Sequence, residues 1–156
     1  MKIDEAFDEL SQLKTVFEKY RPNMAFQFKI VERWSGPFKD WYKKEVPGKK
    51  ASKESGIYFI ADMEENILYI GKAGANNLGA EIWGKFRAPN DKGQFVNSPL
   101  AKWAPADKYR NAIISGNILI SAAIIKPQEH AAFAEVYLQV WCVRNGGLPV
   151  LNKRIG

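Results

Sequence analysis

Residues 56–73, GIYFIADMEENILYIGKA, constrain the fold more than any other stretch of the chain. Gly56-Ile57-Tyr58-Phe59-Ile60 and Ile67-Leu68-Tyr69-Ile70-Gly71 are short runs of β-branched and aromatic residues around a polar turn, Asp62-Met63-Glu64-Glu65-Asn66. Branched and aromatic side chains suit a pleated surface, and Asp and Asn suit turns, so the pattern predicts a β-hairpin. Each run carries one Tyr close to a Gly. The hairpin thus brings two phenols together beside backbone with little side-chain cover, a surface better suited to close approach of a phosphate than to a core.

The rest of the chain supplies elements to surround that hairpin. Phe7, Leu10, Leu13, Phe17 and Tyr20 recur at near-helical spacing, which predicts an amphipathic helix over 4–20 with Asp4 as its N-cap. Met24, Phe26, Phe28 and Ile30 then alternate with Ala25, Gln27, Lys29 and Val31, the signature of a strand with one apolar face. Residues 38–54 are basic, and read either as an arm with Lys43, Lys44, Lys49, Lys50 and Lys53 on phosphates or as a solvated linker. After the hairpin, Leu78, Ile82, Trp83 and Phe86 mark the buried stripe of a helix. Residues 90–106 read as a loop, Asp107 to Ser115 as a short helix stopped by Gly116, and Ile118 to Ile125 as a buried strand. Gln128 to Arg144 reads as a helix with Phe133, Val136, Val140 and Val143 on its apolar side. The expected fold is a small α/β (α+β) domain at 55–156: a three-stranded antiparallel sheet flanked by helices. A helix, strand and basic segment extend it over 1–54.

Composition narrows the function classes. The chain has 156 residues, enough for one domain with a sizeable core. No apolar run approaches the length of a membrane-spanning helix, and the first residues lack the apolar stretch of a secretory signal. One Cys and one His exclude an intrachain disulfide and argue against a zinc centre, a pattern that fits a reducing cytoplasm. The net charge of +6 favours a polyanionic partner.

The two tripeptides Gly56-Ile57-Tyr58 and Tyr69-Ile70-Gly71, with ten residues between them, resemble the GIY-YIG nuclease family. The likeness continues through a following helix, a Glu on a later helix (Glu135) and the Asn of Leu148-Pro149-Val150-Leu151-Asn152, so that it covers about residues 55–154. It implies a metal-dependent endonuclease acting on DNA, double-stranded DNA foremost, with Mg²⁺ or Mn²⁺ held by Glu135. A hard carboxylate oxygen suits such an ion. Tyr58 and Tyr69 would be general bases or phosphate-orienting hydroxyls, Lys72 a phosphate ligand, and Asn152 an organiser of the site. A phenol ionises near pH 10, so a base role at neutral pH needs positive charge beside it.

One position departs from the family. An Arg is expected on the helix after the second tripeptide, and Glu81 stands there. Arg87 is the candidate replacement, although six positions place it about 240° further round a regular helix. Lys85 and Arg110 are weaker stand-ins, and His130 reads as a helix-start residue. The second reading is a nucleic-acid-binding module on the same fold with weak or no cleavage.

Overall fold

The computed structural model of the chain describes residues 1–38 and 47–156. Its described elements are a mixed α+β arrangement. Helix α1 (Ile3–Tyr20) leads into strand β1 (Gln27–Ser35), followed by β2 (Gly56–Ala61) and β3 (Ile67–Ala73). Helices α2 (Leu78–Phe86), α3 (Pro99–Trp103) and α4 (Asp107–Ser115) come next, then β4 (Leu119–Lys126) and α5 (His130–Arg144). None of these helices is long and apolar enough to cross a membrane.

The hairpin forms as its sequence predicts, with Tyr58 opposite Gly71 and Phe59 opposite Ile70. Asp62 organises the turn: its carboxylate accepts from the backbone N–H groups of Glu64 (3.0 Å) and Asn66 (2.8 Å). Arg33 of β1 pairs with Glu65 in this turn and with Asp4 on α1, which ties the turn to both elements.

The sheet has four described strands, ordered β1-β4-β2-β3 and antiparallel throughout, not three. The fourth is the alternating segment of the N-terminal region. It pairs with β4, Phe28 opposite Ile125 and Ile30 opposite Ala123. Local sequence shows that a strand exists there but not which edge it joins.

Two helical layers cover the sheet. On one face α1 and α5 bury Ile3, Leu10 and Leu138 against Ile57, Phe59, Ile70 and Ala123. On the other, α2, α3 and α4 bury Leu78, Ile82, Phe86, Leu100 and Ile113 against Tyr58, Ile60, Ile120 and Ala122. Strands β2 and β4 therefore have apolar residues on both faces, which explains their unbroken apolar runs.

Three local expectations are corrected. Asp4 lies inside the first turn of α1. Lys2 is the N-cap, and Glu5 reaches back to accept its backbone N–H at 2.7 Å. The segment 90–106 contains helix α3, started by Ser98 accepting from Ala101 N (3.1 Å) with Pro99 in the first turn. Helix α5 is rotated from the expected orientation. It buries Ala131, Ala134, Glu135, Leu138, Gln139 and Cys142, while Phe133, Val136 and Val143 are exposed. The sequence misleads here because the buried face carries small and polar residues and the exposed face carries Val and Phe.

Contact between α1 and α5 includes a hydrogen bond from the Tyr137 hydroxyl to Glu9, 2.9 Å. Burial, then that bond and the Glu9 charge, push the Tyr137 phenol up from 10.0 to about 12. The folded protein thus holds this proton more tightly than the unfolded chain does. The stabilisation is complete below pH 10 and is lost as pH rises toward 12. Tyr137→Phe is expected to cost about 1 kcal/mol at pH 7. Its deficit relative to wild type should shrink in denaturation curves recorded across pH 10 to 12.

Candidate active site

The outer edge of β3 gathers most of the residues singled out in the sequence. Tyr58 and Tyr69 rise from the face covered by α2, with ring centroids 6.0 Å apart. Tyr58 is 1 % exposed and Tyr69 half-buried. Lys72 is the cross-strand partner of Ile57 and so turns to the opposite face, where its Nζ meets Glu135 Oε2 of α5 at 2.6 Å. Residues from both sides of the sheet thereby meet around one edge strand. They line a cleft of 340 Å³ with Gly74, Glu81, Lys85 and Gly156.

The glycines of the two tripeptides are required for distinct reasons. A Cβ on Gly71 would lie 2.4 Å from Tyr58 Cζ, 2.5 Å from its hydroxyl and 2.8 Å from Tyr69 Cε1. The bare strand at Gly71 is what lets the Tyr58 ring cross β3 and bring its hydroxyl to the cleft. A Cβ on Gly56 would lie 2.1 Å from the carbonyl oxygen of Ala123, so this glycine permits the close approach of β2 to β4.

Burial dominates the electrostatics of Tyr58. Desolvation raises its proton affinity, and Tyr69, Glu81 and Glu135 raise it further. In the protein as it stands, Tyr58 is a protonated hydroxyl, a donor rather than a base. Glu135 is 5 % exposed, and a carboxylate that buried requires a compensating charge, supplied here by Lys72.

Asn152 acts on the backbone. Its side chain accepts from Ile70 N–H (2.9 Å) and donates to Ile70 C=O (2.8 Å), as a neighbouring strand would. Leu151 N–H adds a bond to Leu68 C=O at 2.9 Å, and Ile67 N–H reaches Met1 C=O at 3.0 Å. Asn152 is thus a positioning residue that pins the C-terminal segment along β3.

The helix cation at the cleft is Lys85. It lies one turn beyond Glu81 on α2, and its Nζ sits 5.4 Å from the centre of the Tyr69 ring. Arg87 is the C-cap of α2, exposed, with a φ of +59°, and lines neither this cleft nor its neighbour. Arg110 pairs with Asp107 at 2.6 Å, outside both clefts. His130 is flanked by Phe17 and Phe26, centroids 5.5 and 6.0 Å away. Lys43 and Lys44 lie outside the described residues. Lys49 and Lys50 are exposed, and Lys50 borders a separate groove with Lys29, Glu54 and Lys126.

Other residues complete the surroundings. A neighbouring cleft of 280 Å³ shares Tyr69, Glu135 and Gly156 with the first and adds Trp103, Gln139, Lys153 and Arg154. Lys153 Nζ lies 5.0 Å from the centre of the Trp103 ring, forming a basic, aromatic lip. Gln139 is 1 % exposed and accepts from Gly156 N–H at 2.7 Å. The sequence holds a signal for some of these. Gln139 falls one turn after Glu135 on the same helix face, and Lys153-Arg154 directly follow Asn152.

Among the described residues no group of three or more His, Cys, Asp or Glu side chains converges as a metal cage. The cleft does hold two carboxylates, Glu135 and Glu81. A hard oxygen donor such as that of Glu135 suits an ion that keeps most of its waters. No family model, no characterised protein and no solved structure matches the chain.

Gly71→Ala is expected to lower stability by about 1–3 kcal/mol, because Tyr58 and Tyr69 must both move. Gly74→Ala, where a Cβ meets nothing within 4 Å, serves as the control and should leave the thermal midpoint nearly unchanged. Equal midpoints for the two variants would show that Gly71 is not needed for the seating of Tyr58.

Proposed function

We propose that the chain is a metal-dependent endonuclease of the GIY-YIG kind that hydrolyses phosphodiester bonds in DNA, double-stranded DNA first. The observation that carries this reading is the convergence of Tyr58, Tyr69, Lys72 and Glu135 on one cleft at the β3 edge. The hairpin, the helix after it and the place of Asn152 beside β3 support the reading, and β1 is a strand beyond the three that the resemblance implies.

Glu135 would hold Mg²⁺ or Mn²⁺. When bound, such an ion neutralises phosphate charge and steadies the leaving oxygen. The protein's own groups supply the remainder. Lys72 and Lys85 offer ammonium charges to the non-bridging phosphate oxygens. The Tyr58 hydroxyl donates to the phosphate or to the attacking water. It becomes a base only when added positive charge offsets the burial and the anions that hold its proton. Tyr69 packs against Tyr58 and orients it. The Trp103–Lys153 lip, with Arg154, provides a cation and a stacking surface for the flanking strand.

A second reading is a nucleic-acid-binding module that cleaves weakly or not at all. The observation favouring it is Glu81, a carboxylate that lines the same cleft where the resembled family carries an Arg. Lys85, on the same stretch of helix, offsets that charge, which is why cleavage is the preferred reading.

The two separate in one experiment. Supercoiled plasmid incubated with the protein and Mg²⁺ or Mn²⁺ is expected to be nicked, with Glu135→Ala reducing the rate by at least about 100-fold. Glu81→Gln should raise it by removing a repulsive charge. Salt-sensitive DNA binding with no nicking under either metal would establish the second reading instead.

A further inference from the structure

We propose that the outward face of α5 is the interface of a two-fold homodimer in which the α5 helices of two copies pack antiparallel. Phe133, Val136 and Val143 are 47 %, 37 % and 47 % exposed, and Val140 between them is half-buried. They recur at intervals of three, four and three residues, an apolar heptad seam. From His130 to Val143 the only Asp, Glu, Lys or Arg is Glu135, which is buried on the other side of the helix. A solvated helix face in a chain with 26 % charged residues ordinarily carries Lys and Glu. Valine is also a poor choice there, since it loses side-chain freedom in a helix, and only burial compensates for that.

The seam is self-complementary in the antiparallel sense. Residues 133 and 143, and residues 136 and 140, are both centred on Leu138. A two-fold axis at that point sets Phe133 against the copy's Val143 and Val136 against the copy's Val140. It also opposes the helix dipoles and brings Glu129, at the start of α5, toward Arg144 at the end of the copy's helix. Both residues are exposed, and neither makes an ion pair among the described residues. This charge complementarity selects a second copy over an unrelated partner.

One helix face alone buries less than the roughly 800 Å² per partner of a standard interface. The patch extends onto α1, where Phe17 meets Phe133 edge-on at 5.5 Å and Val16 and Tyr20 are exposed. The resulting dimer is expected to be of micromolar strength. Because the seam faces away from Glu135, both clefts stay open in it.

The test is the mass of the full chain by sedimentation velocity from about 1 to about 200 µM. Wild type is expected to shift from monomer to dimer mass across that range. Val136→Asp should raise the dissociation constant at least about tenfold without changing the circular dichroism spectrum. Glu129→Arg should weaken association, and Glu129→Arg combined with Arg144→Glu should restore it. That restoration does not depend on whether Val136→Asp folds. Monomer mass throughout, a dimer indifferent to Val136→Asp, or a charge reversal that restores nothing would each overturn the proposal.

Discussion

The backbone edge of β3 is the constraint on which the rest of the structure depends. An edge strand presents a row of unpaired N–H and C=O groups, which natural proteins cover or blunt. Here Met1 takes the N–H of Ile67, Leu151 the C=O of Leu68, and Asn152 both groups of Ile70. Both chain termini are thereby anchored to one strand. Outward-facing groups alternate along an antiparallel edge, so the next such pair belongs to Lys72 and borders the cleft. The covered and open parts of this edge divide structure from candidate chemistry within three residues.

That edge also explains how two faces of a sheet contribute to one site. Side chains of successive strand residues point to opposite faces, so Tyr58 and Lys72 would ordinarily be separated by the sheet. The bare backbone at Gly71 removes the obstruction for Tyr58. Lys72 reaches round from the other face to Glu135. The glycine of the second tripeptide is therefore a steric requirement of bringing a phenol from the second strand inward out to the rim.

The hairpin was legible because its signal is local: two runs of six or seven residues and an Asp that closes the turn on itself. The same holds for α4, whose stop at Gly116 has a left-handed φ of +75°. What was not legible depends on distant partners. The pairing of β1 with β4 joins residues about ninety positions apart, and no local pattern encodes it. The orientation of helix α5 escapes the sequence for a different reason. Apolar periodicity locates a core face only when burial and hydrophobicity coincide. In α5 the buried side carries Glu135 and Gln139, which line the two clefts, beside Ala131, Ala134, Leu138 and Cys142, while Phe133, Val136 and Val143 are left outward. Likewise Lys85 was discernible as a cation but not as the one facing Tyr69, since that depends on how α2 docks on the hairpin.

Charge in the cleft is close to balance, and this shapes what the site can accept. Glu81 and Glu135 oppose Lys72 and Lys85. With Lys72 committed to Glu135, the remaining pair is Glu81 and Lys85, which leaves no surplus positive charge for an incoming phosphodiester. Added to that balance, the single negative charge of the diester would make the cleft anionic and hold the Tyr58 proton more firmly still. A divalent cation held by Glu135 would reverse the sign. It would free the Lys72 ammonium from its partner, compensate the diester and lower the proton affinity of Tyr58 at once. On the proposed reading, substrate binding and metal binding are therefore coupled through one ion pair, Lys72 with Glu135. On the same reading, Glu81 on α2, where the resembled family carries an Arg, would make that coupling stronger than a permanent guanidinium in the site would.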